Sequence, residues 1–226
     1  MIYILDTADL EAIKHANEFY PIEGVTTNPS IIAKEKCDFK QRLLDIRNII
    51  GKDKMLCVQT TSKVAEEIVE EAKALKKLVG GEFYIKVPIG EAGLKATMML
   101  KKENIGVLMT AIFTPAQALL TAKAGAKFVA PYVNRLQMIN GNGIGAVADM
   151  VEILDHYNLD CKVLAASFKN VEQLSQVALA GCHYATVSLD VLSASAKHPM
   201  TDLAVDGFDK DWKSVYGDKR VIDFIK

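Results

Sequence analysis

The sequence of 226 residues predicts a single (β/α)8 TIM barrel of the α/β class, with one extra helix at its C-terminal end. Short apolar runs typical of strands alternate with amphipathic segments typical of helices eight times, at a little under thirty residues per pair. No linker, low-complexity tract or shift of composition divides the chain, so residues 1–226 are expected to form one domain. A doubly wound open sheet is the alternative, but that fold usually has fewer strands or a longer chain.

Each predicted strand is a short run of β-branched, aromatic or aliphatic residues between turn-forming residues. The fourth run, from Phe83 to Pro88, is the clearest, because Gly80 and Gly81 precede it and a proline ends it. The predicted strands occupy residues 2–5, 25–27, 55–58, 83–88, 106–111, 128–132, 163–167 and 183–187.

The segments between the strands show helical periodicity and residues that start or stop helices. Thr7 is expected to cap the first helix, and Asn28-Pro29 and Thr114-Pro115 each place a capping residue before a proline. Ser62 is expected to open a helix whose glutamates, at positions 66, 67, 70 and 71, face water. The predicted helical segments are 8–19, 28–51, 62–79, 92–102, 115–124, 144–157, 171–180, one ending before Pro199, and 209–216.

Composition and charge exclude several classes of function. A net charge of −1 leaves no basic face for nucleic acid or for a membrane surface. No apolar run reaches the length of a membrane span, and the first residues do not resemble a signal peptide. The four cysteines are scattered without a C-x-x-C pair, which favours a reduced, cytoplasmic protein. The four histidines lack ligand-like spacing, so no metal site is expected.

Polar residues stand at the carboxyl end of nearly every predicted strand, where (β/α)8 barrels carry their active sites. They are Asp6, Thr26, Thr27, Asn28, Gln59, Lys86, Thr110, Tyr132, Asn134, Arg135, Ser167, Thr186 and Ser188. Because the strands are otherwise almost wholly apolar, this coincidence predicts a site better than any single residue does. The set holds one amine and one carboxylate but no histidine and no second carboxylate, which disfavours metal ligation and glycosidase chemistry.

Lys86, near the end of the fourth strand, is the candidate for covalent chemistry. Burial disfavours the charged form of a lysine, and a neutral amine attacks a carbonyl carbon to form a Schiff base. The alternative is an edge-strand lysine that discourages aggregation. The other candidates also have structural alternatives: Asp6 and Asn28 could cap helices, Thr110 could be an ordinary strand residue, and Tyr132 could pack inside the barrel with its hydroxyl satisfied.

Two further features bear on phosphate binding. Arg135 could be a surface residue, or it could bind a phosphate group bidentately beside Ser167. The glycine-rich run at residues 141–145 lacks the full G-x-G-x-x-G spacing, and it is interpreted as the turn into the sixth helix.

Five motifs carry a family resemblance: Asp6-Thr7, Gly24-Val25-Thr26-Thr27-Asn28-Pro29-Ser30, Ile85-Lys86-Val87-Pro88, Ala130-Pro131-Tyr132-Val133-Asn134-Arg135 and Ala165-Ala166-Ser167-Phe168-Lys169. With these motifs the sequence resembles the transaldolase superfamily of class I, Schiff-base-forming aldolases, over essentially its whole length. Within that superfamily it looks most like the small fructose-6-phosphate aldolase and transaldolase-like subfamily. Transaldolases of this size carry Glu and Phe where this chain has Gln59 and Tyr132, which favours the aldolase branch. The chain departs from the aldolase pattern at residues 60–62 and 136–138.

The resemblance implies reversible cleavage of fructose 6-phosphate to dihydroxyacetone and glyceraldehyde 3-phosphate, without a cofactor. The implied catalytic residues are Lys86, Tyr132, Asp6, Gln59, Thr110 and Asn28, and the implied substrate-binding residues are Thr26, Asn134, Arg135 and Ser167. Two alternatives stay open. One is a transaldolase that moves a dihydroxyacetone unit between sedoheptulose 7-phosphate and glyceraldehyde 3-phosphate, and the other is a phosphosugar-binding barrel with little turnover.

Self-assembly is also implied, because similar small aldolases form homodecamers of two pentameric rings. Eight strand–helix units already close a barrel, and the apolar residues of the segment 209–226 then need another surface against which to be buried. That segment is expected to dock on a neighbouring subunit.

Overall fold

Eight parallel strands close into a barrel in chain order in the computed structural model, which describes residues 1–226. The strands are β1 Ile2–Asp6, β2 Ile22–Thr26, β3 Met55–Gln59, β4 Phe83–Pro88, β5 Gly106–Ile112, β6 Phe128–Pro131, β7 Lys162–Ala165 and β8 Tyr184–Val187. The first strand pairs with both the second and the last, so the sheet has no free edge. The predicted (β/α)8 fold is therefore confirmed.

Helices follow the strands around the barrel. They are α1 Leu10–Phe19, α2 Pro29–Lys34, α3 Phe39–Ile50, α4 Ala65–Val79, α5 Glu91–Lys102, α6 Pro115–Ala124, α7 Val133–Met138, α8 Gly143–His156, α9 Val171–Leu179, α10 Leu189–Ser195 and α11 Pro199–Tyr216, followed by a short 3-10 helix at Val221–Phe224. The segment 28–51 contains two helices, and α7 lies where the sequence predicted only a loop. None of the helices combines the length and the apolar character that a membrane span requires.

Two predicted helix starts among the barrel helices are wrong in detail. The side chain of Asp9, not that of Thr7, caps α1 by accepting hydrogen bonds from the N–H groups of Glu11 and Ala12. The helix expected to open at Ser62 begins at Ala65, and no side chain caps it. The loop before it is held by side-chain hydrogen bonds instead, as described below.

The chain forms two compact units, Met1–Val191 and Leu192–Lys226. In the second unit, α11 begins at Pro199 rather than at Asp209, with the side chain of His198 as its cap. An aromatic cluster of Trp212, Tyr216 and Phe224 joins this helix to the 3-10 helix, with Trp212 and Tyr216 ring centroids 4.6 Å apart. None of the residues of α11 is buried.

The interior of the barrel is filled by alternate residues of the strands, because successive side chains of a strand point to opposite faces. Its core comprises Ile4, Met55, Cys57, Leu108, Phe128, Ala130 and Leu164, with Tyr84 and Tyr184 packed against them. The ring of Phe128 lies edge-on to both tyrosines, at 5.0 Å from each. We call these three rings the aromatic floor. The same alternation, continued towards the carboxyl ends of the strands, positions the candidate site.

Candidate active site

Lys86 is the buried amine at the centre of the carboxyl end of the barrel. It is two residues beyond Tyr84 on β4, on the same face of the strand, and it pairs in register with Gln59 of β3. Its exposed fraction is 2%, and its amino group has no hydrogen-bond partner within the chain. An amine that is buried and free of an ion pair is placed to attack a carbonyl carbon.

Asp6 is linked to two threonine hydroxyl groups in a chain across three neighbouring strands. The hydroxyl of Thr26 donates to the Asp6 carboxylate at 2.7 Å, and it lies 2.5 Å from the hydroxyl of Thr186. Because Thr26 uses its one proton on Asp6, Thr186 is the donor in the second bond. The carboxylate is thereby held in one orientation beside Lys86.

Burial raises the pKa of the Asp6 carboxyl above its usual 3.8, and the positive charge of Lys86 and the hydrogen bond from Thr26 only partly oppose this effect. In the barrel core, burial also raises the pKa of the Cys57 thiol, to about 12. A thiol with that pKa stays protonated at neutral pH, so Cys57 does not compete with the lysine as a nucleophile.

Replacing Asp6 by asparagine should raise thermal stability at neutral pH while turnover falls. In the unmodified protein, the raised pKa means that the folded state favours the protonated Asp6 carboxyl. The stability gained in this way is fully present below pH 3.8 and is lost as the pH rises through the folded-state pKa. Asparagine does not ionise, so the advantage of the variant should be largest at neutral pH and should shrink in acid. Calorimetric Tm values over that pH range measure this, with the exposed Asp53→Asn as the control. A neutral-pH Tm below that of the unmodified protein would contradict the prediction.

Tyr132 and Thr110 form a second hydrogen-bonded pair, on β5 and the end of β6. The Thr110 hydroxyl donates to the Tyr132 hydroxyl oxygen at 3.0 Å, so the phenol proton is left for another acceptor. The Tyr132 ring lies edge-on to Phe113 at 5.7 Å, with the Arg135 guanidinium 4.7 Å from its centroid. These contacts fix the direction of the phenol.

Backbone irregularity accompanies this pair. The pairing of β5 with β6 shifts register between Met109 and Ile112, and Ala111, next to Thr110, has a φ of 59°. A left-handed conformation in a residue with a side chain is strained. A bulge of this kind turns the strand end and redirects the neighbouring side chain, which here is Thr110.

The helix α7 and the segment after β7 bring Asn134, Arg135 and Ser167 to adjacent positions. The N–H of Asn134 donates to the carbonyl of Ser167 at 2.9 Å, and Ser167 itself has a φ of 65°. Arg135 is exposed and has no carboxylate partner. The unpaired guanidinium belongs to the residue that follows this backbone contact, and a guanidinium of this kind is suited to binding a phosphate group.

The predicted set is completed by Asn28, which follows β2, and by Gln59, at the end of β3. The side-chain oxygen Oδ1 of Asn28 accepts a hydrogen bond from the N–H of Ile31 at 2.9 Å. Asn28 therefore caps α2, as the alternative interpretation of this residue predicted. Its amide nitrogen has no partner within the chain, and neither has the Gln59 side chain. Both residues line a largely apolar cavity of about 210 Å³, together with Pro29 and Phe39. Asn28 can therefore both cap a helix and donate to a ligand.

A family model of transaldolase/fructose-6-phosphate aldolase matches residues 3–219, which is nearly the whole chain. The chain belongs to the transaldolase/fructose-6-phosphate aldolase family. It is therefore an enzyme of the aldolase/transaldolase type, and the family implies phosphorylated sugars as substrates.

Solved structures similar to this family member share its fold at low sequence identity. A structure described as native KDPGal is 19% identical with a TM-score of 0.59, over 83% of this chain and 81% of that one. A cube-shaped designed protein cage is 18% identical with a TM-score of 0.61, over 95% and 77%. A mandelate oxidase mutant with a monooxide FMN adduct is 10% identical with a TM-score of 0.57, over 84% and 64%. At these identities the likeness shows the barrel alone.

The structure gives roles to residues to which the family resemblance assigned none. Thr186 belongs to the Asp6 chain, and its place at a strand end was the available signal. Glu71, expected to face water, instead accepts hydrogen bonds from the side chain of Thr60 and the N–H of Thr61, which holds the loop after Gln59. No local pattern indicates that contact. No group of three or more histidine, cysteine, aspartate or glutamate residues is placed to bind a metal ion.

Proposed function

We propose that this family member is a class I aldolase, an aldehyde-lyase that reversibly cleaves fructose 6-phosphate to dihydroxyacetone and glyceraldehyde 3-phosphate. The observation that carries the proposal is that one end of the barrel holds both a buried Lys86 amine without a hydrogen-bond partner and a Tyr132 phenol whose proton is free. The first group can form a Schiff base, and the second can move a proton beside it.

The reaction begins when the deprotonated Lys86 amine attacks the C2 carbonyl of the ketose. The resulting carbinolamine loses water, with its hydroxyl protonated by Tyr132, and becomes an iminium ion. The Tyr132 phenolate then accepts the C4 hydroxyl proton, the C3–C4 bond breaks, and the electron pair moves into the iminium to give an enamine. Glyceraldehyde 3-phosphate leaves. Protonation of the enamine at C3 and hydrolysis of the iminium release dihydroxyacetone and restore the amine.

The surrounding side chains have distinct roles in this scheme. Thr110 and Gln59 hold a water molecule beside the phenol, since an amide can orient water but does not take up its proton. Asp6 and the amide nitrogen of Asn28 hold the hydroxyl groups that flank the scissile bond. Thr26, expected to bind substrate, is fully buried and has its hydroxyl engaged, so we assign it to orienting Asp6.

The phosphate group of the substrate lies, in this proposal, against Arg135, Ser167 and Asn134. The exposed guanidinium is stacked on the Tyr132 ring, which limits its motion. A fixed, unpaired guanidinium loses less entropy on binding phosphate than a free side chain does. The same contact supports a phosphate-binding role for Arg135 next to the proposed proton donor Tyr132.

A product assay separates the proposed function from its alternatives. With fructose 6-phosphate alone, the protein should release dihydroxyacetone and glyceraldehyde 3-phosphate in equal amounts. Adding erythrose 4-phosphate should produce less sedoheptulose 7-phosphate than dihydroxyacetone. Faster transfer than release would assign the transaldolase activity, which proceeds through the same enamine, and absence of any turnover would leave a phosphosugar-binding barrel.

We also propose that the protein assembles in the cytoplasm as a homodecamer of two pentameric rings, with the segment from Pro199 onwards on a neighbouring subunit. All four cysteines are free thiols, as a reducing compartment favours. Large apolar residues of α11 are exposed, among them Leu203 at 64% and Phe208 at 71%. Surfaces of this kind mark protein–protein contacts.

Charged residues on this surface should disrupt the assembly. Leu203→Asp with Phe208→Asp should reduce the mass measured by light scattering from about ten times the 24.8 kDa chain to smaller species, because burying two unpaired carboxylates in an interface is costly. The control is Lys210→Asp, on the same helix, which makes the surface more negative by the same two charges but leaves its large apolar side chains in place. A single-chain mass for the unmodified protein would contradict the proposal.

A further inference from the structure

Gln173, on α9, makes hydrogen bonds with both ends of its buried carboxamide group. Its exposed fraction is 7%. The carbonyl oxygen accepts from the N–H of Lys169 at 2.7 Å, and the amide nitrogen donates to Asn134 at 3.0 Å and to Gln137 at 2.5 Å. One side chain therefore joins the segment after β7 to the helix α7.

The hydrogen bond from the backbone determines the orientation of every amide in this cluster. A backbone N–H is only a donor, so the atom of Gln173 that faces Lys169 is the oxygen. The other end of the group is then the NH2, and both of its protons are used on Asn134 and Gln137. Each of those two residues must accept with its own oxygen.

These hydrogen bonds fix which end of the Asn134 carboxamide group faces Gln173 and which end faces away from it. Its oxygen is turned to Gln173, so its NH2 group is the half that is left without a partner within the chain. This residue precedes Arg135, and its backbone N–H contacts the carbonyl of Ser167. A second donor is thereby presented beside the guanidinium and the serine hydroxyl.

We propose that Gln173 is a positioning residue that keeps the Asn134 amide turned with its N–H donors towards the phosphate group of the substrate. It acts through Asn134 and sets the preference for phosphorylated over unphosphorylated aldehydes. This inference rests on the proposed function and extends it. It also gives a role to Gln137, in the stretch that departs from the aldolase pattern, because its oxygen takes up the second proton of Gln173.

Gln173→Glu tests the polarity directly. A carboxylate still accepts from Lys169 but has no N–H to donate, so Asn134 must turn its NH2 towards position 173 and present its oxygen to the phosphate. We expect kcat/KM for glyceraldehyde 3-phosphate to fall about tenfold or more through KM, as loss of a hydrogen bond to a charged group predicts. With unphosphorylated glyceraldehyde, kcat/KM should change little. Gln173→Met, which removes the same donors without adding charge, should act in the same direction.

Two controls separate positioning from charge and from folding. Gln117→Glu makes the same change on α6, where Gln117 accepts from the N–H of Phe113 and donates to no amide group, and it should leave the preference unchanged. In an Asn134→Ala background the effect of Gln173→Glu should disappear, as expected for two residues that act through one interaction.

A readout independent of turnover distinguishes failure of this inference from failure of the proposed function. Inorganic phosphate should raise the Tm of the unmodified protein, and Gln173→Glu should increase the phosphate concentration required about tenfold. Equal losses with both aldehydes, an unchanged phosphate requirement, or an effect that persists without the Asn134 side chain would each overturn the positioning role. An unmodified protein that binds phosphate through this cluster but does not cleave fructose 6-phosphate would overturn the proposed function alone.

Discussion

Replacing Lys86 by arginine should abolish turnover and covalent trapping. A guanidinium stays protonated at any accessible pH and has no free electron pair to attack a carbonyl carbon. In the unmodified protein, borohydride added with dihydroxyacetone should reduce the iminium and attach the three-carbon fragment to Lys86 irreversibly. Peptide mass analysis should find the added mass on the peptide that contains Lys86.

Lys86→Met is the companion variant, because methionine is neutral, unbranched and better suited to a position that is 2% exposed. It should fold, lose all turnover and give no trapped adduct. The control is Lys63→Arg, at an exposed position in the loop after β3, and this variant should retain both turnover and covalent trapping at Lys86. Trapping on any other lysine, or turnover in Lys86→Met, would remove the basis of the proposed mechanism.

Replacing Tyr132 by phenylalanine should lower aldol cleavage by about a hundredfold or more, the usual cost of losing a positioned acid–base group. The Thr110 hydroxyl would lose its acceptor, and the water that we propose beside it would lose the phenol with which it exchanges protons. The enamine would then be protonated slowly and would persist until an aldehyde arrives. Transfer of dihydroxyacetone to erythrose 4-phosphate should rise relative to cleavage, and steady-state rates of both reactions measure the ratio.

Adding Gln59→Glu to this variant should increase the relative transfer further, because a carboxylate can move protons through a bound water whereas an amide only orients it. Tyr84→Phe is the control, since this tyrosine belongs to the aromatic floor and its hydroxyl bonds to Glu82 rather than to the site. Unchanged cleavage in Tyr132→Phe, or an equal loss in Tyr84→Phe, would show that the phenol is not the proton donor.

The sequence was sufficient for the barrel because its signals are local and repeated. Each strand is a short apolar run, and proline or glycine marks several of the boundaries, as at Asn28-Pro29 and Gly125. The carboxyl ends could then be predicted without knowing any contact, and the ten residues that the family resemblance implies as catalytic or substrate-binding are all among the polar residues at those ends. The structure places all of them at that end of the barrel, while their chemical roles remain predictions.

Local sequence patterns were insufficient to predict a helix boundary where two residues can both cap the helix. They were also insufficient to predict a contact between residues far apart in the sequence. Thr7 and Asp9 are both capping residues, and only the course of the chain decides that Asp9 is used. The last helix was predicted over residues 209–216, but α11 begins at Pro199 and continues through Gly207. The bond between Gln173 and Asn134 spans 39 positions, so no periodicity can indicate it.

The aromatic floor of Tyr84, Phe128 and Tyr184 packs side chains across the barrel near the amino ends of β4, β6 and β8. In the proposed mechanism, the water that hydrolyses the iminium and the aldehyde that intercepts the enamine should therefore both reach Lys86 from the carboxyl end of the barrel. An aldehyde bound at this end should also keep water out. If the proposed mechanism holds, the same active site should release its three-carbon fragment when aldehyde is scarce and transfer it when aldehyde is abundant, so the aldehyde concentration should select the product together with the residues.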